Sequence, residues 1–278
     1  MTHAESITRI EIDQLWSGRH SVAWTLDRHV NVLSGVNGVG KSTILNKLIR
    51  SIGPKGELGA SHGGVTILTD PPGATHLRYD VIRSFDRPLV SSNLTARIDL
   101  SIVTELDLQM YNLQRRYLDY QVNIGNRIIA ALQSGEADAA LKAQQISNAK
   151  ARFQDIVDDL FRDTGKRIVR TENEIRFSQI GEVLSPFQLS SGEKQMLAIL
   201  LTVLTEDGEP TVLFMDEPEV SLHVDWQQRL IDLILELNPN VQIILTTHSP
   251  AVIMNGWMDH VTEVSDILVD EQHNQPSE

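Results

Sequence analysis

The feature that most constrains this chain of 278 residues is a glycine-rich segment at residues 35–42, Gly-Val-Asn-Gly-Val-Gly-Lys-Ser. It fits the pattern G-x-x-x-x-G-K-[ST], follows a short apolar run and precedes a run with helical periodicity. Glycines let backbone N–H groups curl around an anion because no Cβ stands in the way. A helix that begins near Lys41 directs the positive end of its dipole at the same place. The sequence therefore predicts a phosphate-binding loop between a strand and a helix.

The same loop predicts roles for individual side chains. Lys41 is expected to reach the β- and γ-phosphates of a nucleotide, and Ser42 is expected to ligate Mg²⁺. The alternative is a glycine-rich turn ahead of a helix, which the strand before the loop and the helix after it disfavour. The residues expected to contact the nucleotide are Gly35, Asn37, Gly38, Val39, Gly40, Lys41, Ser42 and Thr43.

Two adjacent carboxylates, Asp216 and Glu217, end the segment Thr-Val-Leu-Phe-Met-Asp-Glu at residues 211–217. The apolar run before them is typical of a buried parallel strand. Carboxylates at the carboxyl end of such a strand suit the ligand crevice of an open α/β sheet. Asp216 is expected to hold Mg²⁺, and Glu217 to orient or deprotonate the attacking water. The alternative is an acidic pair that interacts with a helix dipole, which the phosphate loop makes less favourable.

A histidine ends the next predicted strand, Val-Gln-Ile-Ile-Leu-Thr-Thr-His at residues 241–248. Apolar strands on either side of a helix are typical of a βαβ unit. We therefore expect His248 at the same edge of the sheet as the carboxylates, where it would hydrogen-bond to the γ-phosphate. The alternative is a structural histidine.

Periodicity divides the chain into three parts. Residues 1–99 form a lobe with the phosphate loop, and residues 166–278 form a second lobe with the carboxylates and His248. Between them, residues 100–165 lose almost all glycine and proline and have helical spacing on both sides of a turn at Ser134-Gly135, which predicts an antiparallel helical hairpin. That hairpin is either an ordinary helical subdomain or an arm that docks a partner.

The remaining predicted elements are short. Strands are expected at 7–12, 21–26, 29–35, 65–69, 76–85, 167–171 and 174–180, and helices at 41–52, 191–204 and 226–237. A polar turn is expected at 16–20 and a frayed tail from about residue 269. The predicted class is α/β, with a mostly parallel central sheet, an N-terminal antiparallel β part and an inserted helical subdomain.

Composition limits the cellular compartments and the classes of binding partner that we expect for this chain. The chain has no cysteine, which excludes disulfides and thiolate chemistry. It has no run of about 18 apolar residues and no N-terminal apolar segment typical of a secretion signal, so we expect a cytoplasmic protein without a membrane contact. The formal net charge of −13 disfavours binding to nucleic acid, without excluding a local basic patch.

A further motif, Leu-Ser-Ser-Gly-Glu at residues 189–193, opens a predicted helix ahead of the carboxylate strand. In order with the other motifs it resembles the signature L-S-G-G-[QE] of ABC ATPases, in the soluble branch with SMC-like, RecF-like and OLD-type proteins. The resemblance implies that the nucleotide is ATP, sandwiched in a homodimer, with Ser190 and Gly192 on the γ-phosphate bound to the opposite subunit. Ser191 and Glu193 are assigned to the same site. Ser191 replaces the first consensus glycine, and taken alone the segment is explained equally well as a helix cap.

The stretch Asp-Glu-Pro-Glu-Val-Ser-Leu-His-Val-Asp-Trp-Gln at residues 216–227 is similar to ATPases of OLD-type and related bacterial defence systems. His223 stands where transporter ATPases usually carry an aspartate in the loop across the dimer interface. ABC ATPases also use a glutamine to link Mg²⁺ to the helical subdomain. Gln109 and Gln114 are candidates for it by their order in the chain alone.

These resemblances favour an ATP-hydrolysing switch that acts as the regulatory subunit of an anti-phage defence complex. OLD-type relatives often carry a nuclease domain after the ATPase, and only about thirty residues follow His248, so a separate effector or toxin is expected. The alternatives are a RecF- or SMC-like DNA-repair ATPase, the nucleotide-binding subunit of an ABC transporter, and a scaffold that binds ATP without turnover. Glu217 disfavours the scaffold, because a scaffold needs no carboxylate that activates water.

Overall fold

The structure is a computed structural model, and it describes residues 2–16, 20–59, 63–83 and 102–269. The chain forms two compact units. The core unit comprises the described parts of Met1–Arg83, Glu209–Glu219 and Asn240–Glu278, and the helical unit comprises those of Ser84–Gly208 and Val220–Pro239.

The described residues contain the following strands and helices. The strands are β1 (His3–Ala4), β2 (Ser6–Leu15), β3 (His20–Thr25), β4 (Val30–Ser34), β5 (Val65–Asp70), β6 (His76–Leu77), β7 (Tyr79–Arg83), β8 (Arg167–Ile168), β9 (Phe177–Gln179), β10 (Glu182–Leu184), β11 (Thr211–Asp216), β12 (Val241–Thr246), β13 (Val261–Glu263) and β14 (Leu268–Val269). The helices are α1 (Lys41–Ser51), α2 (Glu105–Gln133), α3 (Ala139–Leu160), α4 (Ser191–Thr205), α5 (Val224–Leu237), α6 (Pro250–Ile253) and α7 (Val264–Ile267).

A five-stranded parallel sheet lies at the centre of the core unit, in the order β13-β4-β12-β11-β7. Strands β11 and β12 are apolar on both faces, and Phe214 and Ile244 are completely buried. Continuous apolar strands of this kind are typical of a parallel sheet that is covered on both faces. Helix α1 packs against β11 and β12 and buries Ile44, Leu45 and Leu48.

An antiparallel sheet in the order β14-β3-β2-β5 forms the second layer of the core unit. Along β2 the side chains of Ile10 and Ile12 are buried, whereas Arg9 and Glu11 are half-buried on the other face. This period of two is what a sheet with one face in the core requires. The α/β class with a parallel sheet and an N-terminal antiparallel part is therefore confirmed.

The helical unit is built on the antiparallel pair α2 and α3. Helix α2 begins with a capping box in which Asp107 N–H donates to Thr104 Oγ1 and Thr104 N–H donates to Asp107 Oδ2, both over 3.1 Å. The two helices pack through Tyr117 and Phe153, whose ring centroids are 6.5 Å apart. Leu132, near the far end of the pair, is exposed. The three-part division of the chain stays a prediction.

Some predicted strands are shorter in the structure. The segment 76–85 forms β6 and β7, and its last two residues lie outside the described residues, as do residues 17–19 of the predicted turn and the tail from 270. The strand predicted at 174–180 begins only at Phe177, because the backbone of Ile175 bonds to the amide of Gln114 instead of to a strand. The strand predicted at 167–171 ends at Ile168. Sequence periodicity missed β10, which pairs with β9.

The helices of the described residues bear on the membrane prediction. None of the helices in residues 2–16, 20–59, 63–83 and 102–269 is long and apolar enough to cross a membrane.

Candidate functional site

Three neighbouring parallel strands bring the predicted motifs to one edge of the central sheet. The phosphate loop follows β4, the carboxylates follow β11, and His248 follows β12, which lies between the other two. Leu33 pairs with Thr246, and Thr246 pairs with Asp216, so the carboxyl ends of the three strands are level. This edge is where open α/β sheets bind ligands.

The phosphate loop has a backbone that only glycine adopts without strain. Gly35, Gly38 and Gly40 have φ values of 146°, 82° and 103°, in the region that a Cβ makes unfavourable. Helix α1 starts directly afterwards, with Gly40 as its N-cap. The two glycines that flank the loop are also crowded, because a Cβ at Gly40 would overlap the indole ring of Trp16 and one at Gly35 would lie 2.9 Å from Val39 Cγ1.

Lys41 is folded back into this loop. Its side chain is only 4% exposed, which for a lysine requires polar partners. The ammonium group donates to the Gly35 carbonyl over 2.9 Å and to the Val36 carbonyl over 3.4 Å. His248 Nε2 lies 2.7 Å from the same nitrogen. The predicted phosphate-binding lysine and the predicted switch histidine are therefore in direct contact.

The two predicted metal ligands also meet. Ser42 Oγ donates to Asp216 Oδ1 over 2.8 Å, and Thr246 Oγ1 donates to the same oxygen over 2.6 Å. Mg²⁺ usually takes one or two protein ligands and completes its octahedron with water and substrate phosphates. One hydroxyl and one carboxylate fit that preference. Within the part of the chain that the structure describes, no group of three or more His, Cys, Asp or Glu side chains could hold a metal ion as a closed protein cage.

Glu217 occupies a strained position next to His248. Its φ is 48°, a conformation that costs a residue with a Cβ on the order of 1–3 kcal/mol and that recurs at active sites and ligand clamps. The Thr246 carbonyl and hydroxyl oxygens hold it there by accepting from the Glu217 N–H over 3.0 and 3.1 Å. Glu217 Oε1 lies 2.8 Å from His248 Nε2.

His248 Nε2 therefore lies within hydrogen-bonding distance of both a donor, the Lys41 ammonium group, and an acceptor, the Glu217 carboxylate. An Nε2 that carries a proton donates to Glu217, whereas an unprotonated Nε2 accepts from Lys41. His248 Nδ1 also lies 3.3 Å from Lys41 Nζ. In the tautomer whose Nε2 donates to Glu217, Nδ1 is therefore the acceptor that faces Lys41, so one imidazole can link the carboxylate and the loop lysine.

The signature segment lies in the helical unit, at the N-terminus of α4. Ser190 is the N-cap: it forms a capping box with Glu193 and donates from its hydroxyl to Glu193 Oε2 over 2.9 Å. Ser190 and Ser191 are exposed, while a Cβ at Gly192 would overlap the carbonyl oxygen of Ser221. The segment is therefore a helix cap with two accessible hydroxyl-bearing residues at a helix N-terminus, a common anion site.

The Glu193 carboxylate is hydrogen-bonded to residues of the helical unit. Its side chain is 3% exposed and accepts from Lys166 Nζ and Thr164 Oγ1, each over 2.9 Å. Burial alone raises the pKa of this carboxyl, but the bonds from Lys166, Ser190 and Thr164 outweigh it and hold the pKa below its ordinary value. The contact of Glu193 with a nucleotide stays a prediction.

The structure also locates the other predicted residues. Asn37 and Thr43 are exposed on the loop and at the start of α1, and Val39 is half-buried. Gln114 uses both atoms of its amide on the Ile175 backbone, over 2.9 and 3.0 Å. Gln109 is half-buried in α2, and its link to Mg²⁺ stays a prediction.

Sequence reasoning missed three residues at the edge of the sheet. Thr246 ties Asp216 to the Glu217 backbone, Trp16 packs against Gly40, and Glu219 is buried beside His248. Only Glu219 had a usable signal: it is an acidic residue two positions after Glu217, inside an otherwise assigned motif.

A fold with a phosphate loop, an acid-bearing strand and a signature helix defines the class of ABC-type P-loop ATPases. The chain belongs to the family described as "AAA domain, putative AbiEii toxin, Type IV TA system", which matches residues 96–255, more than half of the chain. The match begins after the phosphate loop, so the geometry of residues 35–42 is an independent observation.

Individual relatives agree with this assignment. The chain is 25% identical over 301 residues to the Septu protein PtuA of Bacillus thuringiensis, which covers 89% of this chain and 72% of PtuA. It is 30% identical over 98 residues to the probable ATPase of retron Vc95 of Vibrio cholerae serotype O1 biovar El Tor, which covers 31% of this chain. That match spans only 19% of the length of the retron protein.

A solved structure supports the fold. The chain resembles an SMC head bound to the C-terminal winged-helix domain of ScpA with a TM-score of 0.51 and 14% identity, over 96% of this chain and 98% of that one. At this identity the likeness concerns the fold alone.

Proposed function

We propose that the protein hydrolyses ATP and acts as a nucleotide switch in which two copies close on bound ATP and open after hydrolysis. The observation that carries this proposal is the convergence on His248 Nε2, which lies 2.7 Å from Lys41 Nζ and 2.8 Å from Glu217 Oε1. Phosphate binding, water activation and γ-phosphate sensing each need one of these three side chains.

Each residue has a distinct task in the proposed reaction. The N–H groups of the phosphate loop and Lys41 bind the phosphates. Ser42 and Asp216 would hold Mg²⁺, which would supply positive charge against the phosphates. Glu217 orients the attacking water and accepts its proton. His248 hydrogen-bonds to the γ-phosphate, so loss of that phosphate frees Nε2 for Lys41 or Glu217.

The dimer follows from the signature helix. In ABC-type ATPases this helix terminus contacts the γ-phosphate on the opposite subunit. The exposure of Ser190 and Ser191 at the N-terminus of α4 supports the same use here. The pair of exposed serines would then complete the site of a second copy, and each ATP would be bound by two chains.

The biological setting is inferred from names. PtuA is named as a Septu protein, and the Vibrio relative is named as a probable retron ATPase. The description of the family mentions a toxin and a Type IV TA system. We propose that this chain is the regulatory ATPase of such a bacterial defence system, with the effector or toxin as a separate protein partner.

The first test is the mass of the particle in solution. Glu217→Gln keeps the shape of the side chain and removes the base, so the ATP-bound closed state should accumulate. Light scattering with ATP and Mg²⁺ should then record a shift from 31.1 kDa to about twice that mass. Phosphate release by the wild-type protein should be lost in the variant.

Two variants serve as controls for this test. Lys41→Ala should stay at the mass of one chain because it loses phosphate binding. Ser191→Arg should bind ATP but fail to dimerise, since the bulky side chain blocks the exposed helix terminus. If Glu217→Gln binds ATP and stays a monomer, the sandwich is wrong.

DNA provides the test of the main alternative. With a net charge of −13, the chain is expected to show no stimulation of its ATPase by duplex or single-stranded DNA at physiological salt. Stimulation of about tenfold or more would favour a DNA-repair ATPase of the RecF or SMC kind over a defence regulator.

A further inference from the structure

Glu219 is a buried acid that the reaction proposed above does not use. Its side chain is 6% exposed, and ionisable side chains are rarely buried to this extent without a specific arrangement of partners. Glu219 Oε1 accepts from Thr247 Oγ1 over 2.5 Å, from the His248 N–H over 3.0 Å and from the Ser249 N–H over 3.3 Å. A single carboxylate oxygen therefore gathers three consecutive residues after β12.

These bonds link the segment after β11 to the segment after β12. Strands β11 and β12 are paired up to Asp216 and Thr246, and beyond that point no strand ladder links the two segments. Thr246 makes one connection, through its bonds with Asp216 and the Glu217 N–H. Glu219 makes the second connection from the other side of Glu217. His248 thus lies at the end of a segment that is anchored at two points.

We propose that Glu219 is a positioning residue that sets the distance between His248 and Glu217, and so couples γ-phosphate sensing to water activation. This inference rests on the proposed ATPase function. Glu219 acts through the backbone of residues 248 and 249 and through the Thr247 hydroxyl, while the His248 ring contacts Glu217 and Lys41. Hydrogen bonds to a charged acceptor are roughly twice as strong as neutral ones. Bonds of this strength suit a residue that holds the His248 ring in a fixed position.

The alternative is that Glu219 only stabilises the loop as part of the fold. If so, removing the Glu219 carboxylate should lower thermal stability and weaken nucleotide binding to a similar extent. A positioning role predicts a different pattern. The ring of His248 changes its hydrogen bonding, turnover falls more than binding, and the effect of Glu219 depends on the presence of His248.

The experiment has two readouts that do not depend on each other. The first is the ¹H–¹⁵N spectrum of the histidine imidazoles in the full chain without nucleotide, with the His248 signals assigned from a His248→Gln sample. Glu219→Ala should change the His248 ring signals and their pH profile, while the other histidines stay as they are. Glu219→Gln, which retains an acceptor oxygen, should lie between Glu219→Ala and the wild-type protein.

The second readout is kinetic. Glu219→Ala should lower kcat by about tenfold or more and change the dissociation constant for ATP by less than about threefold. In a double-mutant cycle, adding His248→Ala to Glu219→Ala should cost little further, because the two side chains act as a unit. Partial recovery of kcat in Glu219→Gln is expected for the same reason as in the spectra.

The outcomes separate this inference from the function on which it rests. Unchanged His248 signals in Glu219→Ala, or fully additive kinetic losses, would overturn the positioning role. If the wild-type protein binds ATP without turnover, the proposed ATPase function fails, and the imidazole spectra still decide whether Glu219 positions His248.

Discussion

Ser42 donates its hydroxyl hydrogen to Asp216 Oδ1 over 2.8 Å, although 174 residues separate the two in the chain. Ser42 stands in the first turn of α1 and Asp216 at the end of β11. Thr246, on the strand between β4 and β11, donates to the same oxygen. The proposed Mg²⁺ ligands are thus held together by the protein itself, which lowers the entropy lost when a cation binds.

Removing this hydroxyl tests the metal site. We expect Ser42→Ala to raise the Mg²⁺ concentration needed for half-maximal ATPase activity by roughly 10–100-fold, because one ligand and its bond to Asp216 are lost. The measurement is phosphate release across a Mg²⁺ titration. Ser51→Ala is the matched control, since Ser51 lies at the other end of α1 and bonds only locally, to the Leu48 carbonyl. An unaltered Mg²⁺ requirement in Ser42→Ala would contradict the assignment.

The backbone of the phosphate loop gives a second prediction. Gly40→Ala should abolish nucleotide binding and lower the free energy of unfolding by roughly 1–3 kcal/mol, because φ is 103° and the new methyl group meets Trp16. Fluorescent-nucleotide titration and urea unfolding measure the two effects. Gly125→Ala in α2 has free space around it and should leave binding intact while raising stability by about 0.5–1 kcal/mol. Equal behaviour of the two variants would argue against a strained loop.

The buried ion pair of the signature helix predicts a dependence of stability on pH. The pKa of Glu193 lies below its ordinary value of 4.5, so the ionised carboxylate stabilises the folded state. That contribution is complete above about pH 5 and is lost as the pH falls through the lowered pKa. Glu193→Gln should therefore reduce stability at pH 7 by roughly 2–4 kcal/mol, and the difference from the wild-type protein should shrink toward pH 3.

Urea unfolding at several pH values checks this expectation. Glu174→Gln is a suitable control, because Glu174 forms an exposed ion pair with Arg176 over 3.1 Å and should contribute less than about 1 kcal/mol. A Glu193→Gln deficit that stays the same from pH 7 to pH 3 would mean that the charge of Glu193 is not what stabilises the helix.

The helical pair has a packed part and an exposed part. Phe153 is fully buried against Tyr117, so Phe153→Ala should lower the free energy of unfolding by about 3–5 kcal/mol. Leu132 is 55% exposed near the end of α2, and Leu132→Ala should change stability by less than about 0.5 kcal/mol. Urea unfolding of both variants is the measurement. A large loss in Leu132→Ala would indicate that a further surface covers this end of the pair.

The sequence by itself determined the features that depend on local chemistry. Gly35, Gly38 and Gly40 predicted the loop conformation, because positive φ values exclude most other residues. The apolar run before Asp216 predicted a buried parallel strand, and the spacing of apolar residues predicted the two long helices. These patterns need no knowledge of distant neighbours, so periodicity and backbone preference were sufficient.

Only the tertiary structure decided which side chains meet. The order of strands places β12 between β4 and β11, which brings His248 to both Lys41 and Glu217. Burial of Glu219 and the late start of β9 at Phe177 likewise depend on partners far away in the chain. Such contacts follow from strand order and packing, which a single sequence does not encode as a local pattern. Local preferences therefore specified the motifs, and long-range packing determined how they form one site.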